Sequence, residues 1–180
     1  MKRLHFLMCA FMLTGCLSPA SEKNNAESNA AVNDAAPEPQ TDWLYETRLD
    51  KMSGDTSYFA SSNSTNSVEF EFPYNGGSTF RLMVRKMLHG TDVVVLVDKG
   101  QFMTNMMGEE QLRVKFDDGK PEPWAYSGAR DAGMDIIFPN NPKKFIQRLK
   151  TVKKVMIEAP FYNAGRQVME FDVEGLRWSH

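Results

Sequence analysis

Apolar and polar residues alternate along the chain with a period of two from about residue 68 onward, which is typical of half-buried β-strands. The apolar positions of the clearest run and of its return after a turn are Val68, Phe70, Phe72, Tyr74, Phe80, Leu82 and Val84. The turn between them reads Asn75-Gly76-Gly77, a composition that favours tight hairpins. The pattern therefore predicts a hairpin in which the strand over 68–74 pairs with the strand that begins at Phe80.

Further segments of strand length follow, and tight turns separate several of them. They cover residues 92–97, 112–116, 124–126, 135–138, 155–157 and 168–173. Asp117-Asp118-Gly119 and Asn163-Ala164-Gly165 predict two more hairpin turns. The segment 42–52 fits a short strand and a turn equally well. About eight closely spaced strands predict a mainly β fold, an antiparallel β-sandwich or small barrel.

One segment has helical spacing instead. Pro142 follows Asn140-Asn141, which is the arrangement of an N-cap and a first-turn proline. The apolar residues that then share one helical face are Phe145, Ile146, Leu149 and Val152. We expect one amphipathic helix over 142–154.

The first sixteen residues have the organisation of an export signal. Lys2 and Arg3 precede a short apolar stretch, Leu4–Leu13, which is too short to span a membrane. The run Leu13-Thr14-Gly15-Cys16 resembles the lipobox of bacterial lipoproteins. That resemblance implies a lipoprotein signal peptide over 1–15, followed by attachment of diacylglycerol and an acyl chain such as palmitate to Cys16. The alternatives are a plain secretory signal with an incidental cysteine, or a buried N-terminal helix.

The resemblance also implies a destination. Leu17, and not an aspartate, follows the cysteine, which by the sorting rules of that family indicates the outer membrane. Two or more lipid chains anchor a protein stably, whereas one chain binds reversibly. We therefore expect a membrane-anchored protein whose domain faces the periplasm.

A composition change separates this anchor from the β-rich region. The segment 16–41 is rich in Ser, Asn, Ala, Glu and Pro, and such a segment cannot bury enough apolar area to fold. We predict that it is a disordered tether and that 42–180 forms one globular domain. This domain carries 18 basic and 19 acidic residues, a balance that argues against nucleic acid as a partner.

The residue types needed for common catalytic and metal sites are scarce. If Cys9 leaves with the signal peptide and Cys16 carries lipid, the mature domain has no thiol for a disulfide, for catalysis or for a metal. Only His89 and His180 then remain as histidines, too few for an ordinary zinc site. We expect no cofactor, no metal and no enzymatic activity.

Two weaker chemical possibilities stay open. Asp117-Asp118 and Glu109-Glu110 are adjacent carboxylate pairs, but neighbouring residues of an extended chain point to opposite faces. The cluster of Met103, Met106 and Met107 suits either Cu(I) or an adaptable core or contact surface.

Two segments are candidates for partner binding. The predicted helix carries Lys143, Lys144 and Arg148 with no acidic residue, so it could meet anionic lipid or an acidic partner, or simply be a solvated face. The segment 159–166 places Phe161, Tyr162 and Arg166 in a predicted loop, and aromatic and arginine residues are favoured at binding hot spots.

From Val93 onward the domain weakly resembles the VasI-type periplasmic domain associated with type VI secretion. The resembling features are Val97-Asp98-Lys99-Gly100, Trp124, an apolar strand before a single helix, and the ending 171–176. The resemblance implies an architecture in which the last strand and turn are structural. It implies no catalytic residue.

Three function classes follow. The first is a non-catalytic binding module for an envelope protein or ligand, which the tether and the scarcity of catalytic residues favour. The second is an inhibitor, immunity or phage-exclusion lipoprotein, although Ser127-Gly128-Ala129-Arg130 matches only part of the Ser-Gly-x-x-Tyr signature of membrane-bound lysozyme inhibitors. The third is a carboxylate-based hydrolase of cell-wall glycan.

Overall fold

A computed structural model describes residues 41–104, 111–129 and 133–180. The predicted signal peptide, Cys16 and all of the tether except Thr41 lie outside these residues, as do Met106, Met107 and the pair Glu109-Glu110. In the described part of the chain, no helix is long and apolar enough to cross a membrane.

The described residues form eleven strands and one helix. The strands are β1 (Leu44–Leu49), β2 (Thr56–Asn63), β3 (Val68–Phe70), β4 (Gly76–Ser78), β5 (Phe80–Met87), β6 (Gly90–Val97), β7 (Gln111–Phe116), β8 (Glu122–Gly128), β9 (Ile136–Pro139), β10 (Lys154–Phe161) and β11 (Gly165–Asp172). The helix is α1 (Pro142–Leu149).

Nine of these strands form one antiparallel sheet in the order β1-β2-β5-β6-β9-β8-β7-β10-β11, and β3 and β4 form a separate ribbon. The sheet curls so that β11 approaches the segment that follows β2. There the Thr65 amide donates to the Glu170 carbonyl at 2.8 Å. The Asn66 side chain donates to the Val168 carbonyl at 2.8 Å and accepts from the Glu170 amide at 2.9 Å. The prediction of a mainly β, antiparallel fold is confirmed.

Aromatic residues fill both ends of the space that the curled sheet encloses. At one end the Phe161 ring lies 4.5–5.9 Å from three other phenylalanine rings, centroid to centroid. At the other end Phe145 of α1 packs edge-on against Phe116 and Trp124, at 5.7 and 5.0 Å. The helix thus closes one end of the core, which explains why its apolar face is buried.

The two later hairpin turns are confirmed. Asp117 has a φ of 46°, and the Gly119 amide returns to the Phe116 carbonyl at 3.0 Å between β7 and β8. Asn163 and Gly165 have φ values of 56° and 64° between β10 and β11. Asn, Asp and Gly tolerate this left-handed backbone conformation better than other residues. These residue types therefore both predicted the turns in the sequence and allow the φ values seen in the structure.

The predicted hairpin between 68–74 and the strand from Phe80 is wrong. β3 ends at Phe70, the Tyr74 amide donates to the Glu71 carbonyl in a turn, and the Phe72 side chain is 84% exposed. The short β4 pairs with β3 in its place, while β5 pairs with β2 and β6. The undecided segment 42–52 contains the edge strand β1, and β2 has no counterpart in the predicted strands.

The helix begins where it was predicted but ends five residues earlier. The Asn141 side chain accepts from the Lys144 amide at 3.3 Å as the N-cap, with Pro142 at the first turn. The last helical residue is Leu149. The Asp117 carboxylate then accepts from the Lys153 and Lys154 amides, at 2.9 and 2.8 Å, and directs the chain into β10.

Candidate binding surfaces

Two of the three cations of α1 pack against the domain's own aromatic residues. The Arg148 guanidinium lies 4.3 Å from the Phe116 ring centroid and pairs with the Glu122 carboxylate at 3.0 Å. The Lys144 ammonium lies 4.7 Å from the Trp124 ring centroid. Both side chains therefore have contacts within the domain that an external anion would have to compete with.

Three of the other lysines in the segment 142–154 have partners within the domain. Lys150 donates to the Trp178 carbonyl, Lys153 pairs with Glu174 at 3.1 Å, and Lys154 pairs with Asp172 at 3.5 Å. Lys143 is exposed and has no ion-pair partner among the described residues. Because α1 ends at Leu149, Lys150, Lys153 and Lys154 follow the helix and do not lie on a helical face.

The candidate residues of segment 159–166 also separate. Phe161 belongs to β10 and is buried in the core, so its prediction as a loop residue that contacts a partner is corrected. Arg166 donates to the Gln111 carbonyl at 2.9 Å and lies 3.5 Å from the Glu158 carboxylate. Tyr162 is half exposed and is the member of this group that offers a large aromatic surface to a partner.

The two predicted binding regions lie at opposite ends of β10. Phe116, which contacts Arg148, pairs with Val155 near the start of this strand. Phe161 ends the strand six residues later, which corresponds to about 20 Å. The structure therefore does not bring the basic residues of α1 and Tyr162 into one site.

An open groove of about 560 Å³ crosses the outer face of β7, β10 and β11. Its charged lining residues are Lys115, Asp117, Asp118, Lys153, Lys154, Glu170 and Asp172. Three of these residues are lysines and four are acidic, and Lys154 pairs with Asp172 at 3.5 Å. The Asp117 carboxylate already accepts from the Lys153 and Lys154 backbone amides. The groove offers no uniform charge for recognition of an anion or a cation.

Four of the ten large apolar side chains that are exposed among the described residues lie at one end of the sheet. Because Tyr58 of β2 pairs with Lys86 of β5, the β1–β2 turn and the β5–β6 turn lie at the same end. The exposed residues there, which we name the hairpin end, are Leu49 (62% exposed), Met52 (96%), Leu88 (67%) and the partly exposed Met87. Sequence reasoning missed this surface, although apolar residues in the undecided segment 42–52 and beside His89-Gly90 were a visible signal.

Strand β1 itself is exposed along its whole length. Its Arg48 guanidinium donates two hydrogen bonds to the Glu46 carboxylate, at 2.6 and 2.8 Å. The hydrogen bond from Arg48 lowers the pKa of Glu46 below its usual value, so the pair stays charged at neutral pH.

Groups that could hold a metal are absent from the described part of the chain, where no three His, Cys, Asp or Glu side chains cluster. His89 is exposed, and the His180 ring stacks on Tyr58 with 3.8 Å between centroids.

Comparison with known proteins adds little to this description. No protein-family model matches the chain, and no curated protein matches it by sequence. A solved structure, invasion associated protein B from Bartonella henselae, is similar at 16% identity with a TM-score of 0.47, over 77% of this chain and 88% of that chain. The likeness is too distant to transfer a function or a residue role.

Proposed function

We propose that this protein is a lipoprotein of the bacterial cell envelope, anchored in the outer membrane through Cys16, whose β domain is a non-catalytic binding module for an envelope protein. The observation that carries the binding role is the hairpin end, where two neighbouring turns and the strand ends beside them expose apolar side chains. Exposed apolar patches on soluble domains commonly mark protein contact sites.

The side chains of the hairpin end suit a protein partner. Met52 and Met87 are unbranched and polarizable, so they adapt to an irregular apolar surface. Leu49 at the end of β1 and Leu88 in the β5–β6 turn add branched apolar area. A partner that covered all four would remove them from water, and the gain would scale with the apolar area covered.

The anchor and the tether give this module its location. Fully extended, the 25 residues from Leu17 to Thr41 span at most about 90 Å, and a flexible chain usually spans far less. A domain on such a tether searches a zone close to the membrane while its hairpin end remains free to turn toward a partner.

Site-specific crosslinking in cells tests the binding role. A photo-crosslinking residue would replace Leu88 or Met52 in the full chain, and a matched control would carry it at exposed Lys120 in the β7–β8 turn. We expect one protein to be captured from Leu88 and Met52 and not from Lys120. Capture of a partner at Lys120 alone, or from an equivalent residue at Lys143, would contradict the assignment to the hairpin end.

The anchor is tested separately. Metabolic labelling with a radioactive fatty acid should label the wild-type chain and not Cys16→Ala, and the variant should leave the membrane fraction. An unlabelled wild type together with an equally membrane-bound Cys16→Ala would refute the lipoprotein assignment. The crosslinking result does not depend on this outcome.

A further inference from the structure

The two ends of the nine-stranded sheet differ in how their backbone is covered. At β11, Thr65 and Asn66 supply hydrogen bonds to Val168 and Glu170, so the chain covers part of its own edge. At the opposite end, β1 is exposed on both faces. An open edge strand is a template for pairing with another strand.

The hydrogen bonding of β1 shows which of its backbone groups are free. The Asp50 amide donates to the Asp55 carbonyl at 2.8 Å, in the same register as the β1–β2 ladder. Because such bonds alternate along an antiparallel strand, the even-numbered residues of β1 face β2. The amides and carbonyls of Tyr45, Thr47 and Leu49 therefore point away from the sheet, and no described residue bonds to them.

The sequence of β1 lacks the usual protection of an edge. Leu44–Leu49 contains no proline, glycine or lysine. Its two charges, on Glu46 and Arg48, lie on one face and neutralise each other at 2.6 Å. Natural edge strands are commonly protected by lysine, proline or a bulge, so an edge without them is suited to a partner strand.

We propose that β1 pairs with β1 of a second copy of this chain, antiparallel, about a two-fold axis at Thr47. In this register Glu46 of each copy stands opposite Arg48 of the other, twice in the interface. Residues 45, 47 and 49, whose free groups point outward, become the hydrogen-bonded pairs 45–49, 47–47 and 49–45. The opposite charges and the outward-facing backbone groups thus require the same register. An unrelated strand would not have this match, so the partner strand is β1 of a second copy.

The other face of the paired strands is apolar in this register. Tyr45 of one copy stands opposite Leu49 of the other, again twice. In the single chain Leu49 is 62% exposed and Tyr45 is half exposed, with its hydroxyl accepting from the Arg177 amide at 2.8 Å. Aromatic–aliphatic pairs across strands stabilise a sheet, and the pairing would add about six backbone hydrogen bonds. The dimer does not require the partner proposed above. It would cover Leu49 of the hairpin end and leave Met52 and Leu88, the crosslinking positions, outside the paired strands.

Charge reversal tests the register. Glu46→Arg places two arginines opposite Arg48, and Arg48→Glu places two glutamates opposite Glu46, so we expect each variant to weaken the dimer Kd about tenfold or more. An equimolar mixture of the two variants restores opposite charges at every position and should form a heterodimer. The double variant Glu46→Arg/Arg48→Glu should dimerise like the wild type. Sedimentation velocity of the full chain in detergent measures all four.

A backbone variant provides an independent check. Thr47→Pro removes an outward amide without removing a β1–β2 hydrogen bond, so it should abolish dimerisation and leave the thermal midpoint nearly unchanged. Monomeric wild type at all concentrations would overturn the proposal. So would a dimer that is insensitive to both charge reversals, or a mixture of the two variants that remains monomeric.

Discussion

Truncating Phe161 tests whether this residue belongs to the core or to a binding surface. The ring is 2% exposed and lies within 4.5–5.9 Å of rings from three separate segments, Phe70, Phe80 and Phe102. A buried Phe→Ala substitution costs about 3–5 kcal/mol, and because rings from three segments would lose this contact we expect about 4 kcal/mol for Phe161→Ala. The neighbouring Tyr162 is 52% exposed, so Tyr162→Ala should cost about 1 kcal/mol or less.

Urea unfolding measures this difference. With a slope of about 2 kcal/mol per molar urea, Phe161→Ala should lower the unfolding midpoint by about 2 M, and Tyr162→Ala by less than about 0.5 M. Phe161→Leu, which keeps most of the apolar volume, should fall between them. A midpoint unchanged by Phe161→Ala, or a larger effect of Tyr162→Ala, would refute the core assignment.

Two further predictions concern the closure of the sheet and its turns. Asn66→Ala leaves the Val168 carbonyl and the Glu170 amide without their side-chain partner. We expect the free energy of unfolding to fall by about 1–3 kcal/mol and hydrogen exchange to become faster in β11 alone. Faster exchange across the whole sheet would contradict this. In thermal unfolding, Gly175→Ala should lower the midpoint more than Gly165→Ala. Both glycines have a positive φ, but a Cβ at position 175 would lie 2.4 Å from the Thr41 side chain, whereas a Cβ at position 165 would meet nothing within 4 Å. Equal effects would show that backbone conformation alone matters.

Local signals predicted the elements that local chemistry determines. The Asp117-Asp118-Gly119 and Asn163-Ala164-Gly165 turns occur where predicted because these residues tolerate a left-handed backbone. The start of α1 was predictable for a similar reason, since the Asn141 cap and Pro142 act on adjacent backbone groups.

Elements whose bounds depend on distant residues were not predictable. Val152 continues the helical spacing and packs against the core, yet the helix ends at Leu149, and Asp117, 36 residues from Lys153 in the chain, fixes the segment that follows. Strand β2 was missed because it buries only Ala60 and Ser62 fully, and small or polar residues give no hydrophobic alternation. Both outcomes are decided by tertiary partners.

The same distinction explains the candidate surfaces. A count of cations along 142–154 cannot show that Arg148 faces Phe116 and Glu122, because those contacts come from β7 and β8. Whether β1 is an edge is likewise a property of the sheet order, which no feature of Leu44–Leu49 reveals alone. Once β1 is known to be an edge, however, the two-residue spacing of Glu46 and Arg48 becomes informative, since it makes the strand complementary to itself in the register that its free backbone groups require.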